Sequence, residues 1–93
     1  MATRAKDRRA IFDGTFRSDL RWWVQTDRKV ALRVLELVEA CMRDPFIGIG
    51  KPEPLQGNMG GSWSRRITGE HRLVYDVRHD EIIFFQARYH YHY

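Results

Sequence analysis

Cysteine is almost missing from this 93-residue chain: Cys41 is the only one, which excludes an internal disulfide and suits a reducing cytosol. Hydrophobic runs are short, and none approaches the ~20 residues a membrane helix requires. The N-terminal stretch is basic but has no apolar segment of the kind a signal peptide carries, so a cytoplasmic protein is expected. Charge of one sign is also weak. The net balance of +4 divides into +3 over residues 1–9, 0 over residues 10–50 and +1 over residues 51–93. A broad basic stripe for nucleic acid is therefore lacking, and any RNA site must be a local constellation in the second half, which holds all four histidines. Proline is confined: Pro45, Pro52 and Pro54 all fall in residues 45–61, together with five of the seven glycines.

Apolar content is high enough for one compact core and too small in total for two, so residues 10–93 read as a single domain behind a disordered basic prelude, residues 1–9. Arg8 to Phe12 is a short first strand. Asp13-Gly14-Thr15 then offers a helix cap, and Phe16, Leu20, Trp23 and Val24 recur on one helical face. The pattern restarts at Thr26-Asp27. Ala31, Val34, Leu35, Val38, Cys41 and Met42 form a second stripe, ended by Pro45. Cys41 is thereby a packing residue, and Trp22 and Trp23 are boundary and core.

Residues 45–61 read as one long, functional loop. From Ser62 the period becomes two. Trp63, Arg65 and Ile67 share one face, with Ser64, Arg66 and Thr68 on the other. His71 to Val77 returns as a strand with Leu73, Tyr75 and Val77 on its apolar face. A third strand runs from Ile82 after the turn at Arg78-His79-Asp80-Glu81. The expected fold is α+β: a short N-terminal strand and a helical hairpin packed on an antiparallel meander. His71 and His79, beside turns, are expected to be solvent-exposed.

The end of the chain carries the strongest chemical signal. Arg88-Tyr89-His90-Tyr91-His92-Tyr93 follows the apolar run Ile82-Ile83-Phe84-Phe85, so a buried strand delivers imidazoles and phenols to a defined place. Arg72 lies mid-strand, opposite the apolar face. Glu53 stands between Pro52 and Pro54, which stiffen its placement. A preset carboxylate, a central arginine and a terminal His/Tyr pair suit RNA cleavage by the ribose 2′-hydroxyl. That route needs a base, a cation for the five-coordinate phosphate and an acid for the departing 5′ oxygen. No metal or other cofactor is needed. A metal-binding module built on His90 and His92 competes, but lacks the remaining ligands of a closed site. A non-catalytic binder on the same fold competes too, yet has no need of Glu53, Arg72 and His90 together.

Four spaced motifs carry a resemblance: Gly50-Lys51-Pro52-Glu53-Pro54-Leu55, Trp63-Ser64-Arg65-Arg66-Ile67-Thr68, Glu70-His71-Arg72-Leu73-Val74-Tyr75 and Arg88-Tyr89-His90-Tyr91. With Gln25-Thr26-Asp27 and Asp44-Pro45-Phe46 upstream, they resemble the YoeB/Txe toxins of the RelE superfamily over about residues 10–91. The resemblance implies a RelE-like fold and a type II toxin that cleaves mRNA in the ribosomal A site. It also implies a YefM-type antitoxin as partner, and a homodimer. By position it makes Glu53 the general base, His90 the general acid, Arg72 the transition-state cation and Tyr91 a substrate-orienting ring. Lys51, Arg66 and Tyr89 would contact RNA. Arg65, on the other strand face, would meet the ribosome surface or serve structure.

Three departures stand out. Family members commonly stop at Arg-Tyr-His-Tyr, whereas this chain continues with His92-Tyr93. Gln56 replaces a frequent lysine, and the basic prelude is additional. In a regular strand His90 and Tyr91 point to opposite faces, while the implied mechanism needs both beside one phosphate. Regular strand geometry is therefore expected to end near Tyr89.

Overall fold

The computed structural model describes residues 7–55 and 61–89. In chain order they form β1 (Arg9–Phe12), α1 (Gly14–Thr26), α2 (Arg28–Arg43), β2 (Glu53–Pro54), β3 (Ser62–Arg66), β4 (Arg72–Val77) and β5 (Glu81–Gln86). The strands make one sheet in the order β1-β5-β4-β3-β2. β2, β3, β4 and β5 pair antiparallel in succession. β1 joins the far edge parallel to β5, from Arg9 opposite Glu81 to Phe12 opposite Phe84. The fold is α+β on a mixed sheet, and β1 begins at Arg9, inside the segment read as prelude.

Both helices are capped by aspartates. The Asp13 carboxylate accepts from the Thr15 amide at 3.2 Å, satisfying one of the donors a helix start leaves open. Asp27 serves two helices at once: its amide donates to the Trp23 carbonyl at 2.7 Å, and its carboxylate accepts from Val30 at 3.4 Å. α1 buries Phe16 and Trp23; α2 buries Ala31, Val34, Leu37, Val38, Ala40 and Cys41. Two stripe residues are corrected. Val24 and Leu35 are exposed, at 54% and 45%, while Leu37 is fully buried. The buried arc of α2 is turned toward Leu37 and Ala40, which leaves Leu35 outside it. Burial pushes the Cys41 thiol up to about 11, so it stays protonated and inert, a packing residue as expected.

Helices and sheet close over Phe16, Trp23, Val34, Leu37, Leu73, Tyr75, Ile82 and Phe84. Among the described residues one cation lies inside this core. Arg65 has no exposed surface. Its guanidinium donates to the carbonyls of Asp44, Ile47 (3.2 Å) and Ile49 (3.0 Å), and its Nε to the Tyr75 hydroxyl (3.2 Å). That hydroxyl in turn donates to the Pro45 carbonyl at 2.7 Å. Burial drives the Tyr75 phenol well above its usual range, so it remains a neutral donor. Of the roles expected of Arg65, at the ribosome surface or in structure, burial selects structure and rules out contact with RNA. A fully buried guanidinium meets no RNA; it gathers the carbonyls that follow the end of α2, where the helix dipole is negative.

This clamp shapes the loop leading to β2. Gly48 and Gly50 adopt positive φ, 136° and 83°. A Cβ on Gly50 would stand 2.8 Å from Leu37 and 3.3 Å from the Arg66 carbonyl, so only glycine fits there. The Gly50 carbonyl accepts from the Arg66 amide at 2.7 Å and ties the loop to β3.

Two substitutions test the clamp by urea unfolding. Arg65→Met fills the volume but strands three carbonyls and takes a donor from the Tyr75 hydroxyl, so a loss of about 3–5 kcal/mol is expected. A loss below about 1 kcal/mol, the worth of a surface group, contradicts the clamp. Gly50→Ala should cost about 1–3 kcal/mol through strain and the Leu37 clash. If the Gly50→Ala protein is as stable as the parent, the loop relaxes freely.

Candidate active site

Strand register decides which side chains meet. Residues directly opposite in an antiparallel pair share a face. Glu53 lies opposite Ser64, and Arg66 opposite Arg72. Ser64 and Arg66 are two apart on β3, so all four project from the same face. It is the face away from Leu73 and Tyr75, which pack under the helices. Lys51, Glu53, Ser64, Arg66 and Arg72 line one open cleft there.

Each member is placed by a local device. Lys51 takes φ 49° immediately after Gly50, turning the chain into β2. Glu53 is an exposed strand residue, not part of a structureless loop. β2 escapes detection in the sequence because two residues beside prolines give no period. At the edge of a sheet a proline removes no inward bond, and the Leu55 amide still reaches the Ser62 carbonyl at 3.0 Å. Arg72 is the first residue of β4, not a mid-strand one, and its guanidinium donates to the Thr68 carbonyl at 3.3 Å. Three cations face one carboxylate in this cleft, which favours an anion.

Ser64 is a member that pattern reading passed over. It is 1% exposed, and its hydroxyl has no hydrogen-bond partner among the described residues. The only signal in the sequence was its sharing a strand face with Arg66.

His90 and Tyr91 lie outside the described residues, as do Gln56, His92 and Tyr93. The chain leading to them is described in full. β5 ends at Gln86, three residues before the expected limit, and Tyr89 takes φ 60°, which ends regular strand geometry. The Tyr89 carbonyl accepts from the Arg72 amide at 3.1 Å, so the chain arrives at the arginine of the cleft. Tyr89 is 54% exposed, and its hydroxyl accepts from Arg88 at 2.8 Å. His71 is the other correction. It is half-buried, with Nδ1 accepting from the Tyr89 amide at 2.7 Å and its ring edge-on to Trp23.

Sequence and fold both have known relatives. The family model for YoeB-like toxins of bacterial type II toxin–antitoxin systems matches residues 12–91. A YoeB toxin of Mycobacterium bovis is 54% identical over 80 residues, 86% of this chain and 94% of the relative. A YoeB/ParE toxin from Agrobacterium tumefaciens superposes with a TM-score of 0.83 at 40% identity, covering 89% of this chain and 99% of that one. A Staphylococcus aureus YoeB–YefM complex gives 0.78 at 36% identity, over 90% and 98%. The same organism's YoeB, solved as a dimer, gives 0.83 at 37%, over 91% and 99%. On the match across nearly its whole folded length, the chain belongs to the YoeB-like toxins of bacterial type II toxin–antitoxin systems.

Proposed function

We propose that this toxin is a ribosome-dependent endoribonuclease that cuts mRNA without a metal, by attack of the ribose 2′-oxygen on the adjacent phosphate. The observation that supports it best is the cleft itself: Glu53 on one strand edge, with Lys51, Arg66 and Arg72 around it, and the chain to His90 arriving at the Arg72 backbone. Glu53 accepts the 2′-hydroxyl proton. The 2′-oxygen bonds to phosphorus, and the extra negative charge on the five-coordinate phosphate is met by Arg72, with Lys51 and Arg66 beside it. The bond from phosphorus to the 5′ oxygen breaks, and His90 supplies the proton that oxygen needs. Tyr91 orients or stacks on the substrate, and Tyr89, with its exposed ring, contacts RNA. The products are a 2′,3′-cyclic phosphate and a 5′-hydroxyl.

A site with three cations and little area of its own needs a carrier that presents single-stranded RNA. That is the role of the ribosomal A site. A YefM-type antitoxin is the inhibitor, on the pattern of the Staphylococcus aureus complex, and an acidic chain that folds on binding suits the net charge of +4. A homodimer follows the pattern of the Staphylococcus aureus dimer. Among the described residues no helix is long and apolar enough to cross a membrane, in keeping with action in the cytoplasm.

Purified protein on programmed ribosomes tests the assignments. Glu53→Gln should keep the fold and antitoxin binding while cleavage falls by ~10²–10⁴-fold, the usual contribution of a positioned base. Parental cleavage by that variant removes Glu53 from the mechanism. Arg72→Lys keeps charge but loses the planar fork that holds two phosphate oxygens, so it should be nearly as inactive as Arg72→Ala. Recovery of most activity by lysine would reduce Arg72 to general attraction.

A further inference from the structure

The segment between β5 and His90 is held far more tightly than a chain end usually is. The Ala87 amide donates to the Asp19 carboxylate at 2.9 Å, and the Trp23 indole donates to the Ala87 carbonyl at 2.8 Å. The Arg88 carbonyl accepts from the Gln86 side chain at 2.9 Å, while the Arg88 guanidinium lies 3.8 Å over the Trp22 ring. Tyr89 is held at both ends of its own backbone. Its amide donates to His71 Nδ1 at 2.7 Å, and its carbonyl accepts from Arg72 at 3.1 Å. Two adjacent residues of β4's entrance therefore grip one residue of the tail.

The grip falls on the strained residue. Tyr89 is a non-glycine at φ 60°, a conformation that costs about 1–2 kcal/mol and persists only where its surroundings hold it. The ring of His71 is wedged between Trp23, at 4.8 Å and 88°, and Tyr89, at 5.3 Å. His71 is thus oriented by a core tryptophan and presents one lone pair to one amide.

We propose that His71 is a positioning residue for the C-terminal segment: through the Tyr89 amide it holds the left-handed turn that brings the chain to Arg72. This rests on the proposed role of His90 as the acid. His71 touches neither RNA nor the reacting atoms in this scheme, so its removal should slow the chemical step and leave substrate capture unchanged.

The test compares His71→Phe with His71→Asn in the full chain. Phenylalanine keeps the wedge against Trp23 without an acceptor; asparagine offers an acceptor oxygen at nearly the position of Nδ1. Exchange of the Tyr89 amide should quicken about tenfold in the Phe variant, as loss of a hydrogen bond implies, and return toward the parental rate in the Asn variant. On programmed ribosomes at saturating toxin, the Phe variant should cleave about 10–100-fold more slowly with an unchanged half-saturating concentration, as misplacement by about an ångström does. The Asn variant should recover most of that rate. A folded Phe variant with parental amide exchange, or with parental cleavage, overturns the proposal. His90→Ala is the control. If it cleaves like the parent, the role of His90 fails, and the amide exchange still decides whether His71 holds the turn.

Discussion

A buried guanidinium held by backbone carbonyls is the constraint on which the rest of this structure depends. Taking an arginine out of water is costly, and the cost is met only if every face of the group finds an oxygen. Arg65 finds them in the loop after α2: three backbone carbonyls directly, and a fourth through Tyr75. The loop cannot retreat without stranding the charge, and the charge cannot leave without stranding the loop. Lys51 and Glu53 are therefore delivered to the sheet edge by a core interaction on the opposite face from the cleft they line.

The cleft combines two independently anchored halves. One is the Gly50–Pro54 segment, tied to β3 by the Gly50–Arg66 bond and the pairing of Glu53 with Ser64. The other is the strap from Ala87 to Tyr89, tied to α1 through Asp19 and Trp23 and to the start of β4 through His71 and Arg72. Arg72 belongs to both halves. Its side chain lines the cleft while its amide holds the tail, so a single residue sets one of the cleft's cations and the incoming chain in register. Such double anchoring suits chemistry that relies on placement and charge.

Much of this was legible in the sequence where a period or a spaced motif existed. Asp13 and Asp27 marked the helix starts, alternation from Ser62 marked β3 to β5, and Glu53 and Arg72 stood out by residue type and neighbours. What stayed hidden had no local signature. β2 is two residues long and flanked by prolines. The parallel pairing of β1 with β5 depends on long-range geometry, and helical spacing alone did not tell Leu35 from Leu37. Arg65 and Arg66 are adjacent and alike, and alternation separated their faces correctly; which face would be sealed by a carbonyl cage was a tertiary fact. His71 looked like a turn histidine because its partner, Tyr89, is eighteen residues away.

The chemistry of the cut ends tests the central claim most directly. Attack by the 2′-oxygen leaves a 2′,3′-cyclic phosphate, or the 3′-phosphate it hydrolyses to, on one fragment and a 5′-hydroxyl on the other. Mass spectrometry of mRNA fragments from programmed ribosomes, with ribosome-free RNA alongside, should show those ends only in the ribosomal sample. A 5′-phosphate paired with a 3′-hydroxyl would mean that water, not the ribose, is the nucleophile. The roles of Glu53 as base, Arg72 as transition-state cation and His90 as acid would then be wrong.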